Sequence, residues 1–332
     1  MKRTTFNDGW EFRPKVSQFA EVSGRTEPFR PVTVPHDAML GGRRAASEDG
    51  AGAYFPGGVY EYRKMFHVMA EDERSRVLVE FEGVYRDAMV YVNGSYVTQQ
   101  PYGYTQFRAD VGPYLRHGAA NEIRVEARTH QDSRWYTGAG IYRDTWLLRG
   151  GPVHIAPEGV RVTTLEADRE RAEVEVAVRV ENDGRVLRTV RLAVEVADAE
   201  GRVVAECTTP VTVEPGQYAI ARRRMHLREP ALWGPDRPAL HTATVAVEDG
   251  QDTETVTFGI RTLRLDPDNG LRINGAPVEL RGADDPGSSE PLPGYTDGTP
   301  PLAPLMVDGE PARVKQGMYQ PQQPVAKSKP RT

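Results

Sequence analysis

A short segment, residues 133–148, brings together the residue types that bind polyhydroxylated ligands. Trp135 and Tyr136 precede a Gly-Ala-Gly turn, and Arg143 and Asp144 stand at the start of an apolar strand. Aromatic rings stack on the C–H faces of sugars, while a carboxylate and a guanidinium hold hydroxyl groups. Because glycine carries no Cβ, the turn lets the backbone approach a ligand closely. We therefore predict that these four residues line a carbohydrate-binding surface.

The same residues also admit a structural interpretation. Arg143 and Asp144 can pair with each other at a strand edge, while Trp135 and Tyr136 pack in a seam between domains. A neighbouring guanidinium favours the charged form of a carboxyl group, so Asp144 suits binding better than proton donation. Both interpretations stay open on the sequence alone.

Other catalytic and metal chemistries find little support in the residues. The seven histidines include no pair at metal-ligand spacing, and the single Cys207 excludes an internal disulfide and a cysteine-based zinc site. Gly138 and Gly140 lack the third glycine of a dinucleotide-binding loop. The pair His36-Asp37 has no nucleophile motif beside it, and we interpret it as a turn between a loop and a strand. We predict no metal and no cofactor.

Composition limits the class of protein. A chain of 332 residues allows two or three domains, and its net charge of -5 without a long basic run argues against nucleic-acid binding. No stretch approaches the ~20 apolar residues of a membrane span. Met1-Lys2-Arg3 is not followed by the apolar segment of a signal peptide. We expect a cytoplasmic protein that binds neither nucleic acid nor membrane.

The elements that must position the candidate residues are β-strands. Residues 77–81 and 88–92 are rich in β-branched and aromatic side chains, and Asn93-Gly94 then predicts a two-residue hairpin. Residues 173–180 and 190–196 alternate apolar and polar side chains, the period of a strand with one buried face. Helical periodicity is hard to find beyond a turn or two. The sequence predicts an all-β protein with two antiparallel sandwiches.

The spacing of the strands and the lengths of their connections divide the chain into domains. Residues 1–152 contain long irregular connections, which suit a jelly-roll, galactose-binding-like sandwich. Residues 153–264 carry short strands at the spacing of an immunoglobulin-like β-sandwich, and residues 265–282 follow as a short connecting segment. Residues 283–332 are rich in Pro and Gly and have no apolar period. Such a segment buries too little apolar area to offset its ordering entropy, so we predict a disordered tail.

Motifs in a common order along the chain resemble those of glycoside hydrolase family 2, the β-galactosidase and β-glucuronidase family. They lie at residues 6–12, 34–37, 58–64, 90–94, 103–107, 140–143, 232–240, 258–261 and 271–282. No single motif would suffice, but their shared order makes the resemblance specific, and it extends over both sandwiches.

The resemblance implies a sugar-binding jelly roll and an immunoglobulin-like sandwich, followed by a catalytic (β/α)₈ barrel that carries two glutamates. In some members, a carboxylate beside the Gly-Ile-aromatic-Arg segment lines the sugar site at the mouth of the barrel, and Asp144 holds that position here. Residues 265–282 correspond to the approach to the barrel. From Ala283 onward the sequence departs from the family pattern, and only 50 residues remain.

This departure decides the expected activity. Retaining glycoside hydrolysis needs two carboxyl groups roughly 5 Å apart across the scissile bond, and the family places both on the barrel. We expect a truncated, non-catalytic front part of a family 2 glycoside hydrolase that is inactive alone, with galactosides or glucuronides as its carbohydrate partners. A separately encoded barrel could be a second partner. The alternative is a stand-alone carbohydrate-binding or interaction module.

Overall fold

The chain divides into two compact units in the computed structural model. One comprises Met1–Ala38, Gly58–Thr129 and Ala139–Glu279, and the other comprises Met39–Gly57, His130–Gly138 and Leu280–Thr332. The structure describes residues 1–16, 19, 22–24, 27–46, 48, 54–70, 75–129, 136–247, 252–266 and 270–279, together with the backbone of four short strands between 306 and 320. Among these residues, no helix is long and apolar enough to cross a membrane.

The first unit begins with an antiparallel sandwich, which confirms the predicted jelly roll. Its strands are β1 (Lys2–Thr5), β2 (Trp10–Pro14), β3 (Arg30–Val32), β4 (Gly58–Val68), β5 (Arg76–Phe81), β6 (Val84–Tyr85), β7 (Ala88–Val92), β8 (Ser95–Gln100), β9 (Phe107–Asp110), β10 (Ala119–Thr129), β11 (Gly140–Ile141) and β12 (Thr145–Gly150). One sheet has the order β1-β12-β5-β9 and the other β3-β2-β4-β10-β7-β8, while β11 pairs with β6. The predicted hairpin at Asn93-Gly94 joins β7 to β8.

Alternation along each strand decides which of its side chains enter the core. In β10, Ile123, Val125 and Ala127 are fully buried, since every second residue of a strand faces the same side. Across the core, Trp10 of β2 and Phe81 of β5 approach each other with ring centroids 6.4 Å apart. The two sheets therefore enclose one apolar layer, and loops at its ends are free to build a surface.

The outer face of the six-stranded sheet holds two buried carboxylates. Glu61 of β4 and Glu126 of β10 lie directly opposite each other, and each is only 2% exposed. Glu61 binds Arg13 at 2.8 Å and Arg124 at 2.9 Å, and Glu126 binds Lys15 at 2.5 Å. These cations compensate the cost of removing the two charges from water.

A second antiparallel sandwich follows and confirms the predicted immunoglobulin-like domain. Its strands are β13 (Val153–Ala167), β14 (Arg171–Asn182), β15 (Arg188–Ala197), β16 (Val203–Val213), β17 (Gln217–Arg228), β18 (His241–Val247) and β19 (Asp252–Phe258). The sheets have the orders β13-β14-β17 and β16-β15-β18-β19. Every second residue of β14 and β15 enters the core, as the alternation predicts: Val174, Val176, Val178, Val180, Val190, Leu192, Val194 and Val196.

Polar contacts join the two sandwiches within the first unit. Asp252 of β19 binds the backbone nitrogen of Met1 at 2.5 Å and accepts a hydrogen bond of 2.7 Å from the backbone N–H of Ile155. Arg108 of β9 binds Glu158 of β13 at 2.7 Å. The first strand of the jelly roll is thereby tied to the second sandwich.

Short strands continue after the second sandwich. Strands β20 (Leu263–Asp266), β21 (Gly270–Ile273) and β22 (Ala276–Pro277) form one antiparallel sheet. Further on, β23 (Met306–Val307) pairs with β24 (Glu310–Pro311), and β25 (Arg313–Lys315) pairs with β26 (Met318–Gln320). Apart from these four short strands, the predicted disordered tail, residues 283–332, lies outside the described residues.

Candidate carbohydrate-binding site

Asp144 stands immediately before β12, and its carboxylate is held by a residue from the start of the chain. Asn7 donates a hydrogen bond of 2.8 Å from Nδ2 to Oδ1 of Asp144. The amide oxygen of Asn7 accepts from the backbone N–H of Thr145 at 2.7 Å and from its hydroxyl at 3.1 Å. One asparagine thus fixes both the carboxylate and the first residue of β12. In the described part of the chain, Oδ2 of Asp144 has no hydrogen-bond partner and is available to a ligand hydroxyl.

Arg143 points away from this arrangement. Its side chain is exposed, and its Cζ lies 5.6 Å from the centroid of the Tyr142 ring. No ion pair between Arg143 and Asp144 occurs within the described residues, where Asn7 is the partner of Asp144. The structural interpretation in which the two charges pair at a strand edge is therefore wrong. Each offers its charge to solvent or to a ligand.

A tyrosine surface continues from Arg143, which we name the tyrosine cluster: Tyr85, Tyr102, Tyr104 and Tyr142. Tyr142 donates a hydrogen bond of 2.8 Å from its hydroxyl to the carbonyl of Gly103. Tyr85 and Tyr104 pack with ring centroids 5.4 Å apart, and Tyr102 and Tyr104 with centroids 5.6 Å apart. Tyr102 is 47% exposed, so part of the tyrosine cluster faces solvent.

The tyrosine cluster was not singled out as a site by sequence reasoning. Tyr104 and Tyr142 belong to motifs of the family resemblance, at residues 103–107 and 140–143, whereas Tyr85 and Tyr102 belong to none. The signal that could have found the cluster is Gly103 itself, because a Cβ there would overlap the ring of Tyr85. A glycine between two tyrosines is a place where rings pack on bare backbone.

His36 and Asp37 form the turn that the sequence predicts, and this turn holds the glycine segment. The backbone N–H of His36 donates to the carbonyl of Ile141 at 2.7 Å. The Asp37 carboxylate accepts from the N–H of Ala139 at 3.0 Å, and Ala38 donates to the carbonyl of Ala139 at 2.8 Å. Hydrogen bonds made by these three successive residues therefore fix the segment that leads to Arg143 and Asp144.

Beneath this turn, His36 and Tyr62 share a hydrogen bond. Nδ1 of His36 lies 2.8 Å from the hydroxyl of Tyr62, which is fully buried. Burial raises the pKa of Tyr62, and the negative charge of Asp37 raises it further. Burial lowers the pKa of His36, and Asp37 opposes that shift. At neutral pH both side chains are therefore uncharged, and they share one hydrogen bond.

Gly140 lies directly over that hydroxyl. Its φ of +103° is a conformation that residues with a Cβ rarely adopt, and a Cβ at this position would overlap the Tyr62 hydroxyl. The Gly-Ala-Gly segment thus allows a close approach between backbone and side chain. What approaches Gly140 here is a buried tyrosine of the protein itself.

The two remaining candidate residues are less fully placed. Tyr136 belongs to the second compact unit, where it is partly buried and packs against Phe55 with ring centroids 5.5 Å apart. Trp135 lies outside the described residues. Arg143 thus lies near Tyr142 of the tyrosine cluster and Asp144 is hydrogen-bonded to Asn7, and the binding roles of all four predicted residues stay predictions. Among the described residues, no group of three His, Cys, Asp or Glu side chains is arranged to hold a metal ion.

The first unit thus joins a jelly roll to an immunoglobulin-like sandwich, and a carboxylate is held at the start of a jelly-roll strand. Two family models match this chain. The model described as "Glycosyl hydrolases family 2, sugar binding domain" matches residues 49–151, and the one described as "Glycosyl hydrolases family 2" matches residues 153–261. The chain belongs to glycoside hydrolase family 2, as its sequence motifs predict.

Individual relatives agree with the family models. A β-galactosidase from Bacteroides ovatus is 34% identical over 290 residues, which cover 85% of this chain and 34% of the relative. A β-glucuronidase from Bacteroides fragilis is 26% identical, over 83% of this chain and 40% of the relative. The crystal structure of a family 2 member from Bacteroides cellulosilyticus superposes with a TM-score of 0.77 at 30% identity, over 85% of this chain and 38% of that protein.

These relatives are much longer than the part that matches. The chain spans 34% to 40% of their length. The similarity therefore extends over both sandwiches and says nothing about the remaining part of those proteins.

Proposed function

We propose that the two sandwiches are the non-catalytic, carbohydrate-binding front part of a family 2 glycoside hydrolase. The observation that supports this most directly is the Asn7–Asp144 hydrogen bond of 2.8 Å. It holds the carboxylate of Asp144 in place in a domain that matches the family's sugar-binding model and in which Arg143 is also exposed. Carboxylate oxygens accept hydrogen bonds from sugar hydroxyls, and aromatic faces pack on sugar C–H groups.

Hydrolysis by these domains alone finds no support among the described residues. Glu61 and Glu126 are adjacent carboxylates, but both are buried and bound to cations. A substrate would have to displace those cations to reach them. Asp144 has Asn7 as its partner, and no second carboxylate in the described part of the chain is hydrogen-bonded beside it. We infer that cleavage of O-glycosyl bonds depends on the part of the relatives that this sequence does not match.

Titration calorimetry tests the binding proposal. The chain is titrated with galactosides and with glucuronides, and the Asp144→Ala variant is titrated in parallel. We expect binding by the wild type and its loss in the variant, because the carboxylate supplies the orienting hydrogen bonds. Asp236→Ala, which removes an exposed carboxylate from the second sandwich, is the matched control and should bind normally. The absence of heat with every sugar would contradict the proposal.

A separate assay tests the lack of catalysis. Purified chain is incubated with aryl galactosides and aryl glucuronides, and we expect no release of the aryl group above buffer. Hydrolysis at an enzymatic rate by pure protein would overturn this part of the proposal, while leaving the binding result intact.

Two further points of the proposal concern the cellular setting. A separately encoded barrel is proposed as a protein partner, and co-purification of the chain from its native host would reveal it. A cytoplasmic location is also proposed from the sequence, and cell fractionation tests it. If the chain behaves instead as a stand-alone binding module, it should bind sugar and be recovered from its host without a glycosidase attached.

A further inference from the structure

The second sandwich carries a cleft of about 580 Å³ on the outer face of its three-stranded sheet. The cleft arises where β13 leaves β14, because the register of their pairing shifts between Ile155 and Val160. Residues 156–159 form the wall of this opening, which we name the β13 cleft. Four residues of β13 stand against one residue of β14 there, and an irregularity of this kind bends a strand and redirects its side chains. The concavity is therefore built into the strand pairing.

The charged residues that line the β13 cleft are four arginines and two glutamates: Arg108, Arg161, Arg179, Arg222, Glu158 and Glu181. Arg161 of β13 is opposite Ala177 of β14, and Ala177 is in turn opposite Arg222 of β17. Neighbouring strands lie about 4.8 Å apart, so the backbones of the two arginines are about 10 Å apart on either side of the Ala177 methyl group. Both guanidinium groups can reach a single anionic group above Ala177.

Three of the four cleft arginines have carboxylate partners: Arg108 binds Glu158 at 2.7 Å, Arg222 binds Glu175 at 2.7 Å, and Arg179 binds Glu181 at 2.8 Å. Arg161 is exposed and has no ion pair among the described residues. Exposed ion pairs contribute little to folding stability. Arg161 is therefore free to bind an anionic ligand, and Arg222 can exchange Glu175 for one.

An apolar strip adjoins the arginines on the same face. Ile220, opposite Arg179 on the neighbouring strand, is 49% exposed. Tyr218 is 53% exposed, and the guanidinium of Arg179 lies 4.1 Å from its ring centroid. Sugar rings pack their C–H faces on such side chains, whereas a small inorganic anion would make no apolar contact with them.

We propose that the β13 cleft binds an acidic saccharide, whose carboxylate or sulfate group sits between Arg161 and Arg222 and whose ring packs on Ile220 and Tyr218. Guanidinium groups hold carboxylate and sulfate oxygens through charge-assisted hydrogen bonds. This site shares no residue with the surface around Asp144. It adds a second, charge-selective contact to the carbohydrate binding of the proposed function, on which it rests.

Titrations of the whole chain test this proposal. The ligands are an oligogalacturonate, a sulfated galacto-oligosaccharide and a neutral galacto-oligosaccharide of equal length. We expect at least one acidic ligand to bind about tenfold or more tightly than the neutral one, and the stronger of the two identifies the anionic group. Arg161→Ala should weaken that binding about tenfold, and Ala177→Asp should abolish it by placing a like charge at the floor.

Arg191→Ala is the matched control. Arg191 is an exposed strand arginine on the opposite sheet, in β15, so its removal changes the net charge equally. Equal weakening by Arg191→Ala and Arg161→Ala would show a general charge effect and overturn the proposal. Equal affinity for acidic and neutral ligands, or no binding of either acidic ligand, would also overturn it.

The Asp144→Ala variant separates the two sites. We expect it to keep the preference for the acidic ligand while it loses the binding of simple glycosides. If Asp144→Ala instead abolishes the acidic preference and Arg161→Ala leaves it intact, the β13 cleft is not the site, although the proposed function stands.

Discussion

Asn7 and Asp144 are separated by almost the whole jelly roll in sequence, yet Nδ2 of Asn7 donates a hydrogen bond of 2.8 Å to Oδ1 of Asp144. The same asparagine accepts from Thr145, and its backbone carbonyl accepts from Val34 at 3.1 Å. The loop between β1 and β2 therefore connects the start of β12 to the segment that leads into the His36 turn. The orientation of the proposed sugar-binding carboxylate depends on a residue that sequence reasoning did not select.

Replacing Asn7 by alanine should destabilise the protein. Thr145 is fully buried, and the variant leaves its backbone N–H without the amide oxygen that now accepts it. An unsatisfied buried donor costs about 1–3 kcal/mol, so we expect the free energy of unfolding, measured by urea denaturation, to fall by that amount. Sugar binding should weaken too, because Asp144 loses its orienting donor.

Gln99→Ala is the control for this experiment. Gln99 is an exposed amide on β8, and its removal should change the free energy of unfolding by less than about 0.5 kcal/mol. If Asn7→Ala were as stable as Gln99→Ala, the hydrogen bonds of Asn7 would not hold the start of β12.

Much of this fold follows from the sequence because alternation and turn residues are local signals. Residues 174–180 enter the core at every second position, and Asn93-Gly94 forms its hairpin, as the patterns predict. The family itself was also recognisable from short motifs in order. These features depend on residues that are close together in the chain, so they can be predicted from one sequence.

The remaining features depend on contacts between distant residues. The alternation along β4 predicts that Glu61 is an outward-facing charge. Its burial to 2% exposure depends on Arg13 and Arg124, which reach it from the strands on either side. The partner of Asp144 could not be predicted from the sequence either, because Arg143 is its neighbour in the chain whereas Asn7 contacts it in the folded protein. Local patterns predict which residues face outward, but not which side chains then meet.

Gly140→Ala should be much more damaging than an ordinary glycine substitution. The positive φ of Gly140 strains any residue with a Cβ, and the added methyl group would overlap the buried hydroxyl of Tyr62. Backbone strain and overpacking together should lower the free energy of unfolding by about 3 kcal/mol or more. Thermal and urea denaturation of the variant measure the loss.

Gly94→Ala separates the two causes. Gly94 has a φ of +84°, and no atom lies within 4 Å of the position of its added Cβ. It therefore carries the backbone strain without the overlap, and we expect a loss of about 1–2 kcal/mol. Equal losses in the two variants would mean that the contact with Tyr62 relaxes freely.

The His36–Tyr62 hydrogen bond predicts a pH dependence of stability. Burial lowers the pKa of His36 below its ordinary value of 6.5 in the folded protein, whereas in the unfolded chain the imidazole titrates near 6.5. Above about pH 6.5 the imidazole is neutral in both states, and the contribution of His36 is fully present. As the pH falls below that value, the unfolded chain binds a proton first, so the free energy of unfolding decreases, by at most about 1.4 kcal/mol per pH unit for one group.

Urea denaturation from about pH 7.5 down to about pH 5, a range that brackets the pKa of a free imidazole, measures this slope. Burial also lowers the pKa of His241, so the wild type should show contributions from both histidines. His36→Gln should remove part of the slope and lower stability at neutral pH, because Tyr62 loses its hydrogen bond with the imidazole. His67→Gln changes an exposed histidine on the outer face of β4 and should leave the neutral-pH stability unchanged. If His36→Gln did not reduce the slope, the stability of the fold would not depend on a neutral imidazole beneath Gly140.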